Sequence, residues 1–146
     1  MSRRSPKQNH RQAKELATLI AQSRRLIWLS AAHQLEGCGE SALTWQVLNC
    51  LRQQGPISQC EVARHTGQHP AGISRLLDLL EKQHAVRRTR DIKDRRRLLV
   101  ALAPKARARL KVLDPEVELA AETALAPLRV NERHRLRELL VKLTSG

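Results

Sequence analysis

Residues 57–80, ISQCEVARHTGQHPAGISRLLDLL, decide the fold of this chain. Ser58 and Glu61 have the spacing of a capping box, in which the hydroxyl accepts the Glu61 amide hydrogen and the carboxylate reaches back. Gly67 suits a helix C-cap, and Pro70 is preset for the first turn of a following helix. The stretch therefore predicts two short helices joined by a tight turn, a helix-turn-helix.

The second of these helices has two different faces. Apolar residues recur at positions 73, 76, 77 and 80, which forms one buried stripe. The opposite face carries small or polar side chains, so the helix can approach base edges closely. Arg75 on that face can bind a guanine or a phosphate, and the sequence leaves both open. The candidate recognition residues are Gln68, His69, Ala71, Gly72, Ser74 and Arg75.

A strongly basic hairpin is predicted next, with strands over residues 85–90 and 98–102. Residues 87–111 hold 11 basic and 2 acidic side chains, so this segment carries +9 of the net +13. Such clustering favours phosphate contacts, with a solvated basic face as the alternative. For Arg88 and for Arg90, the alternative to phosphate binding is that the side chain only braces the hairpin. The candidate wing residues are Arg88, Arg90, Lys93, Asp94, Arg95, Arg96 and Arg97.

Amphipathic helices flank this winged helix-turn-helix. We predict helices over residues 14–35, 43–51 with Thr44 as N-cap, 105–113, 116–128 after a break near Pro115, and 131–143. A second copy of the chain is the simplest partner for the outer apolar stripes. The candidate dimerisation residues are Leu16, Leu19, Ile20, Leu136, Leu139, Leu140 and Leu143.

The expected organisation is a flexible basic arm over residues 1–13, followed by a single domain over residues 14–146. Within it, residues 43–103 form the winged helix-turn-helix, and residues 14–35 and 116–144 form dimerisation helices. The fold class is mainly α with a small β-hairpin wing. A chain of 146 residues suits one such domain.

The core must be aliphatic, because Phe and Tyr are absent and Trp28 and Trp45 are the only aromatic residues. These two tryptophans are candidates for an effector pocket or for plain core positions. The three cysteines include no Cys-x-x-Cys pair, which is typical of a reducing cytosol. Cys38 and Cys60, near helix ends, are candidate oxidant sensors, and small core residues are the alternative.

Other classes of protein are disfavoured. No apolar run approaches the roughly 20 residues of a membrane span, and we expect a cytoplasmic protein without membrane partners. His65 and His69 are four residues apart, but Gly67 and Pro70 break the helix between them, so no zinc site is expected. No catalytic constellation or phosphate-cradling glycine loop is present, so neither an enzyme nor a cofactor is expected.

Two segments together resemble the MarR family of bacterial transcription regulators. The wing, VRRTRDIKDRRRLLVAL at residues 86–102, is similar to the family pattern of a basic strand, an Asp-Arg-Arg tip and a Val-x-Leu strand. The stretch at 57–80 also fits, and the close match runs from about residue 43 to 110. The sequence departs from the family at Gly72, where a hydroxyl residue is common, and at Ala103, where a Thr is usual.

The resemblance implies a triangular homodimer joined by its terminal helices, with the recognition helix at about residues 70–82. It implies that Arg96 enters the minor groove and that Asp94 orients its basic neighbours. We therefore expect a homodimeric repressor that binds a pseudo-palindromic operator in double-stranded DNA. The resemblance also implies release by a small-molecule effector. The alternative is an architectural or RNA-binding basic protein without sequence specificity.

Overall fold

The computed structural model describes residues 6–146, which form six helices and one three-stranded antiparallel sheet. This confirms the mainly α fold with a small wing. No helix in the described residues is long and apolar enough to cross a membrane. The elements are α1 Pro6–Gly37, α2 Ala42–Gln54, β1 Ile57–Ser58, α3 Gln59–Thr66, α4 Pro70–Lys82, β2 Val86–Arg90, β3 Leu98–Leu102, α5 Pro104–Leu125 and α6 Val130–Thr144.

The chain divides into two units by its internal packing. The central unit is Gln34–Val117, which contains α2 to α4, the sheet and the first part of α5. The terminal unit combines the chain up to His33 with Glu118–Gly146. The winged helix-turn-helix therefore lies within one unit.

An aliphatic core holds the central unit together. Helix α4 contributes Ile73, Leu77 and Leu80, each at most 1% exposed, as the 3.6-residue period predicts. Burying such side chains stabilises the fold by about 1.5–3 kcal/mol each before the entropic cost of ordering the chain. The other large members of this core are Val47, Leu48, Leu51, Val62, Val86, Val100 and Leu110.

The sheet places the wing beside the start of α3. Its strand order is β1-β3-β2, with Val86 opposite Leu102 and Arg90 opposite Leu98. Strand β1, which the sequence did not predict, pairs Ser58 with Leu99 on β3. Ser58 is also the N-cap of α3, so one residue joins the strand to the helix.

Several predicted signals mark the helix ends. The capping box of Ser58 and Glu61 is present, and Gly67 has the left-handed conformation with φ of 65°. Pro70 begins α4. The prediction of Thr44 as N-cap of α2 is wrong, because the hydroxyl of Ser41 accepts the Thr44 amide hydrogen at 3.1 Å.

The first helix begins earlier than predicted. Residues 6–13, expected as part of a flexible arm, are helical because Pro6 suits a first helical position and no Gly or further Pro interrupts residues 7–36. The rest of the predicted arm, residues 1–5, lies outside the described residues.

The predicted break at Pro115 is also wrong, since α5 continues through it. Proline removes one hydrogen bond to the carbonyl four residues earlier, at Lys111. Lys111 and Pro115 are both exposed, so water can reach that carbonyl.

The terminal unit leaves apolar side chains uncovered. Its internal contacts include the Ser30 hydroxyl, which donates to the Ala120 carbonyl at 3.2 Å, and an ion pair of Arg133 with Glu122 at 2.7 Å. No residue of α6 is buried. A helix with an uncovered apolar stripe needs a partner surface.

Candidate nucleic-acid interface

Helix α4 presents a small, accessible surface opposite its buried stripe. His69 caps the helix, with Nδ1 accepting the Ala71 amide hydrogen at 3.2 Å. Ala71, Gly72 and Arg75 are exposed, and Ser74 is half-buried. Apart from its two chain neighbours and the nearby backbone of its own helix, no heavy atom of the described residues lies within 4 Å of the position that a Gly72 Cβ would take. The surface thus has room for a close approach to base edges.

The wing loop between β2 and β3 is held by its own hydrogen bonds. Asp91 Oδ1 accepts the Lys93 amide hydrogen at 2.9 Å, and Asp94 Oδ1 accepts that of Arg96 at 3.0 Å. The Arg97 amide donates to the Asp94 carbonyl at 2.9 Å, and the Asp91 amide donates to the Arg97 carbonyl at 2.9 Å. These turns leave the side chains of Lys93, Arg95 and Arg96 unused.

The predicted basic residues fall into two groups. Arg75, Lys93, Arg95 and Arg96 are exposed, and their side chains form no hydrogen bond or ion pair within residues 6–146. Their charges are available to phosphates. We call the three of them on the loop, Lys93, Arg95 and Arg96, the free wing cations.

The other wing arginines are already engaged. Arg88 pairs with Asp78 at 2.8 Å and with Glu81 at 2.5 Å, both on α4, and its side chain is only 15% exposed. Arg90 Nη1 donates to the Arg95 carbonyl at 3.4 Å. These contacts fit the alternative in which Arg88 and Arg90 brace the hairpin and do not bind phosphate.

Arg97 is engaged by the start of α3. Its guanidinium donates to the carboxylate of Glu61, which also accepts the Ser58 amide and hydroxyl hydrogens, each at 2.8 Å. The hydrogen bonds from Ser58, followed by that from Arg97, lower the pKa of Glu61 to about 2. A carboxylate with three donors stays ionised at any ordinary pH.

Sequence reasoning missed the acidic partners of these arginines. Asp78 and Glu81 are three residues apart and therefore share a helix face, a signal that was present in the sequence. Glu61 was recognised only as part of a capping box. Nothing local to Arg97 indicates its partner, because the two residues are separated by 36 positions.

The predicted effector tryptophans belong to different units. Trp45 is half-buried in the central unit, and Trp28 is half-buried in the terminal unit. Neither lines the open groove of about 540 Å³ in the central unit, which is bordered by Gln83, Ala85, Lys105, Ala108, Arg109 and Val112. The effector pocket at Trp28 and Trp45 remains a prediction.

The remaining candidates are accessible. All seven predicted dimerisation residues are 37–63% exposed in the single chain. Cys38 and Cys60 are exposed, whereas Cys50 is buried and its burial raises the pKa of the thiol. Oxidant sensing by Cys38 and Cys60 stays a prediction. The described residues contain no group of three or more His, Cys, Asp or Glu that could hold a metal ion.

Comparison with known proteins decides the family. A sequence model of the MarR family matches residues 41–97, from the N-cap of α2 to the end of the wing loop. The uncharacterized HTH-type transcriptional regulator YwoH of Bacillus subtilis is 32% identical over 120 residues, which are 82% of this chain and 87% of YwoH. The chain belongs to the MarR family. It is a transcription regulator of the helix-turn-helix type.

Solved structures of similar proteins extend the similarity to 88% of the chain. The HTH-type transcriptional repressor Rv2887 of Mycobacterium tuberculosis is 31% identical over 98 residues, 67% of this chain and 70% of Rv2887. Its structure in complex with salicylic acid has a TM-score of 0.76 at 26% identity, covering 88% of this chain and 95% of that one. A probable transcriptional regulator from Pseudomonas aeruginosa has a TM-score of 0.70 at 31% identity, covering 88% and 96%.

Proposed function

We propose that this MarR-family protein is a homodimeric repressor that binds a pseudo-palindromic operator in a sequence-specific manner. The observation that carries this proposal is the set of unpaired cations within one unit. Arg75 lies on the recognition helix and the free wing cations lie on a pre-formed loop, while the neighbouring Arg88 and Arg97 are held by carboxylates. Unpaired cations on fixed supports suit phosphates and base edges.

Helix α4 and the wing loop would make different contacts with DNA. The small residues Ala71, Gly72 and Ser74 would allow α4 to enter the major groove, where Arg75 can contact base edges. The free wing cations would contact the neighbouring minor groove or backbone, as the family resemblance implies for Arg96. The relative Rv2887, for its part, has a structure in complex with DNA.

The homodimer is supported by the uncovered apolar face of the terminal unit. Leu16, Leu19 and Ile20 on α1 are 43–52% exposed, and the leucines of α6 are 37–63% exposed. A two-fold pairing of these faces would bury them. Dimers of helix-turn-helix proteins bind two DNA half-sites about one helical turn, ~34–36 Å, apart. The two-fold symmetry of such a dimer requires an inverted repeat in the operator.

A small-molecule effector belongs to the proposal. Rv2887 has been solved with salicylic acid, and regulation of DNA binding by 6-hydroxynicotinic acid is named for the similar BpsR of Bordetella bronchiseptica. By analogy, a small organic acid near Trp28 or Trp45 would release this protein from DNA. We propose no catalytic activity for this protein. As a regulator of chromosomal DNA, it would work in the bacterial cytoplasm.

The test is selection from a random DNA library with the purified protein at two salt concentrations. We expect an enriched inverted repeat whose half-sites are one helical turn apart, with affinity falling steeply as salt rises. Salt-sensitive binding with no enriched sequence would contradict the proposal and favour the architectural or RNA-binding alternative.

A further inference from the structure

Arg97 connects the wing loop to the helix-turn-helix at a single residue. Its guanidinium donates to Glu61 on α3. Its backbone closes the loop, because the amide donates to the Asp94 carbonyl and the carbonyl accepts the Asp91 amide hydrogen, each at 2.9 Å. A displacement of Arg97 would therefore move the whole loop.

Glu61 is a fixed partner for this arginine. Its Oε2 accepts from the amide and from the hydroxyl of Ser58, each at 2.8 Å, and Ser58 Oγ accepts the Glu61 amide hydrogen at 3.3 Å. Ser58 also pairs with Leu99 on β3, two residues after Arg97. The carboxylate is thus held between the helix start and the strand that leaves the wing.

We propose that Arg97 is a positioning residue of the wing, which fixes the loop against α3 through Glu61 and does not itself contact DNA. This inference rests on the proposed function. Arg97 differs from the free wing cations, whose side chains have no partner within the described part of the chain. A phosphate bound by the other guanidinium nitrogens of Arg97 would lie close to the Glu61 carboxylate, and the two negative charges would repel each other.

The two possible roles of Arg97 predict opposite effects of Glu61→Gln. If Arg97 contacts phosphate, removing the nearby negative charge frees the arginine and raises DNA affinity. If Arg97 positions the loop, the same substitution weakens binding although the protein becomes more positive. Glutamine is accepted at this position of a capping box, so the helix start is kept.

The experiment measures operator affinity of the full chain as a function of salt for Arg97→Ala, Arg97→Lys, Glu61→Gln and the double variant Glu61→Gln/Arg97→Ala. We expect Arg97→Ala and Glu61→Gln each to weaken binding roughly tenfold, as is typical within one ion-pair network, with the double variant no weaker than either. Arg97→Lys should recover part of the loss, because lysine retains the charge that pairs with Glu61.

The salt dependence provides the matched control. Arg95→Ala removes a free wing cation, so the slope of log affinity against log salt should fall by about 0.9 for each phosphate that is no longer neutralised. Arg97→Ala should leave that slope unchanged. A reduced slope for Arg97→Ala, or tighter binding by Glu61→Gln, would overturn the inference, as would additive losses in the double variant.

A measurement without DNA separates this inference from the proposed function. In the free protein, amide hydrogen exchange at Asp91 and Arg97 should become faster in both Glu61→Gln and Arg97→Ala, because the loop loses its attachment. Unchanged exchange would refute the positioning role. If instead the wild-type protein selects no DNA sequence while exchange responds as expected, the proposed function fails and the attachment of the loop stands.

Discussion

The indole Nε1 of Trp45 on α2 donates to Oδ1 of Asp114 on α5 at 3.0 Å. The other oxygen of the same carboxylate accepts from Arg52 Nη1 at 2.6 Å. The hydrogen bond from Arg52, more than that from Trp45, lowers the pKa of Asp114 despite its partial burial. This carboxylate therefore joins two helices of the central unit.

We expect Asp114→Asn to lower the free energy of unfolding by about 1–2 kcal/mol, because the substitution removes the charge that strengthens two hydrogen bonds from Arg52. The Arg52 side chain is 37% exposed, so solvent screening favours the lower value. Urea unfolding at pH 7 measures the change. The control is Glu36→Gln, which changes an exposed carboxylate that accepts no hydrogen bond within residues 6–146. This variant should leave the free energy of unfolding unchanged.

The same variant makes the pH dependence testable. Folding lowers the pKa of Asp114, so its stabilisation is present above the unfolded-state pKa and is lost as the pH falls through the folded-state value. The stability gap between wild type and Asp114→Asn should therefore narrow in acid. A gap that stays constant down to about pH 3, below the ordinary aspartate pKa, would argue against the ion pair as its cause.

Two leucines of α4 provide a matched test of the core. Leu77 is fully buried, whereas Leu79 on the same helix is 49% exposed. Leu77→Ala should destabilise the protein by about 2–5 kcal/mol, because it removes buried apolar surface and leaves a cavity. Leu79→Ala should change stability by less than about 0.5 kcal/mol. Thermal unfolding of both variants measures the two changes in stability. Equal losses of stability would mean that α4 does not bury the face that carries Leu77.

The homodimer should depend on the apolar face of α6. Leu139 is 50% exposed in the single chain, and Leu139→Glu would place a charge in the proposed interface. Sedimentation should show this variant as a monomer at concentrations where wild type is a dimer. The control Ile92→Glu alters a 97% exposed residue of the wing loop and should remain dimeric. Dimeric Leu139→Glu would exclude this face.

Removal of a free wing cation should weaken binding to every DNA sequence. For Arg96→Ala we expect reduced affinity for operator and random DNA alike, with the salt slope reduced by about 0.9 for each phosphate that the side chain neutralises. Arg107→Ala, an exposed arginine of α5 outside the recognition helix and wing, serves as control and should keep the wild-type slope. Equal effects of the two variants would reject a specific role for the wing.

Arg75 should affect the sequence that is selected. If its guanidinium contacts a base, Arg75→Ala costs about 1–3 kcal/mol on the operator and relaxes the preference at one position. Repeating the library selection with this variant shows whether one position of the half-site loses its bias. A loss that is uniform across sequences would instead assign Arg75 to a phosphate.

The features that the sequence predicted well are those encoded by neighbouring residues. The capping box at Ser58, the left-handed Gly67 and the helix start at Pro70 each depend on contacts over three or four positions. The stripe of α4 follows from helical periodicity alone. These local signals were sufficient to predict the helix-turn-helix and the wing, and hence the family.

The errors arose where solvent or distant residues decide the outcome. Pro115 looked like a helix break, but exposure of the affected turn lets α5 continue. Strand β1 has only two residues and exists because β3 lies beside it. The separation of free from engaged arginines required knowledge of Glu61 and of the acidic face of α4, whose proximity to the wing is a property of the folded chain.

The scarcity of aromatic residues makes this protein unusually convenient for spectroscopy. It has no tyrosine and only two tryptophans, of which Trp28 lies in the terminal unit and Trp45 in the central unit. A variant that retains one of them emits fluorescence from a single unit. Trp28→Phe would report on the winged helix-turn-helix, and Trp45→Phe would report on the terminal unit. DNA binding and subunit association could therefore be timed separately with two single-tryptophan variants.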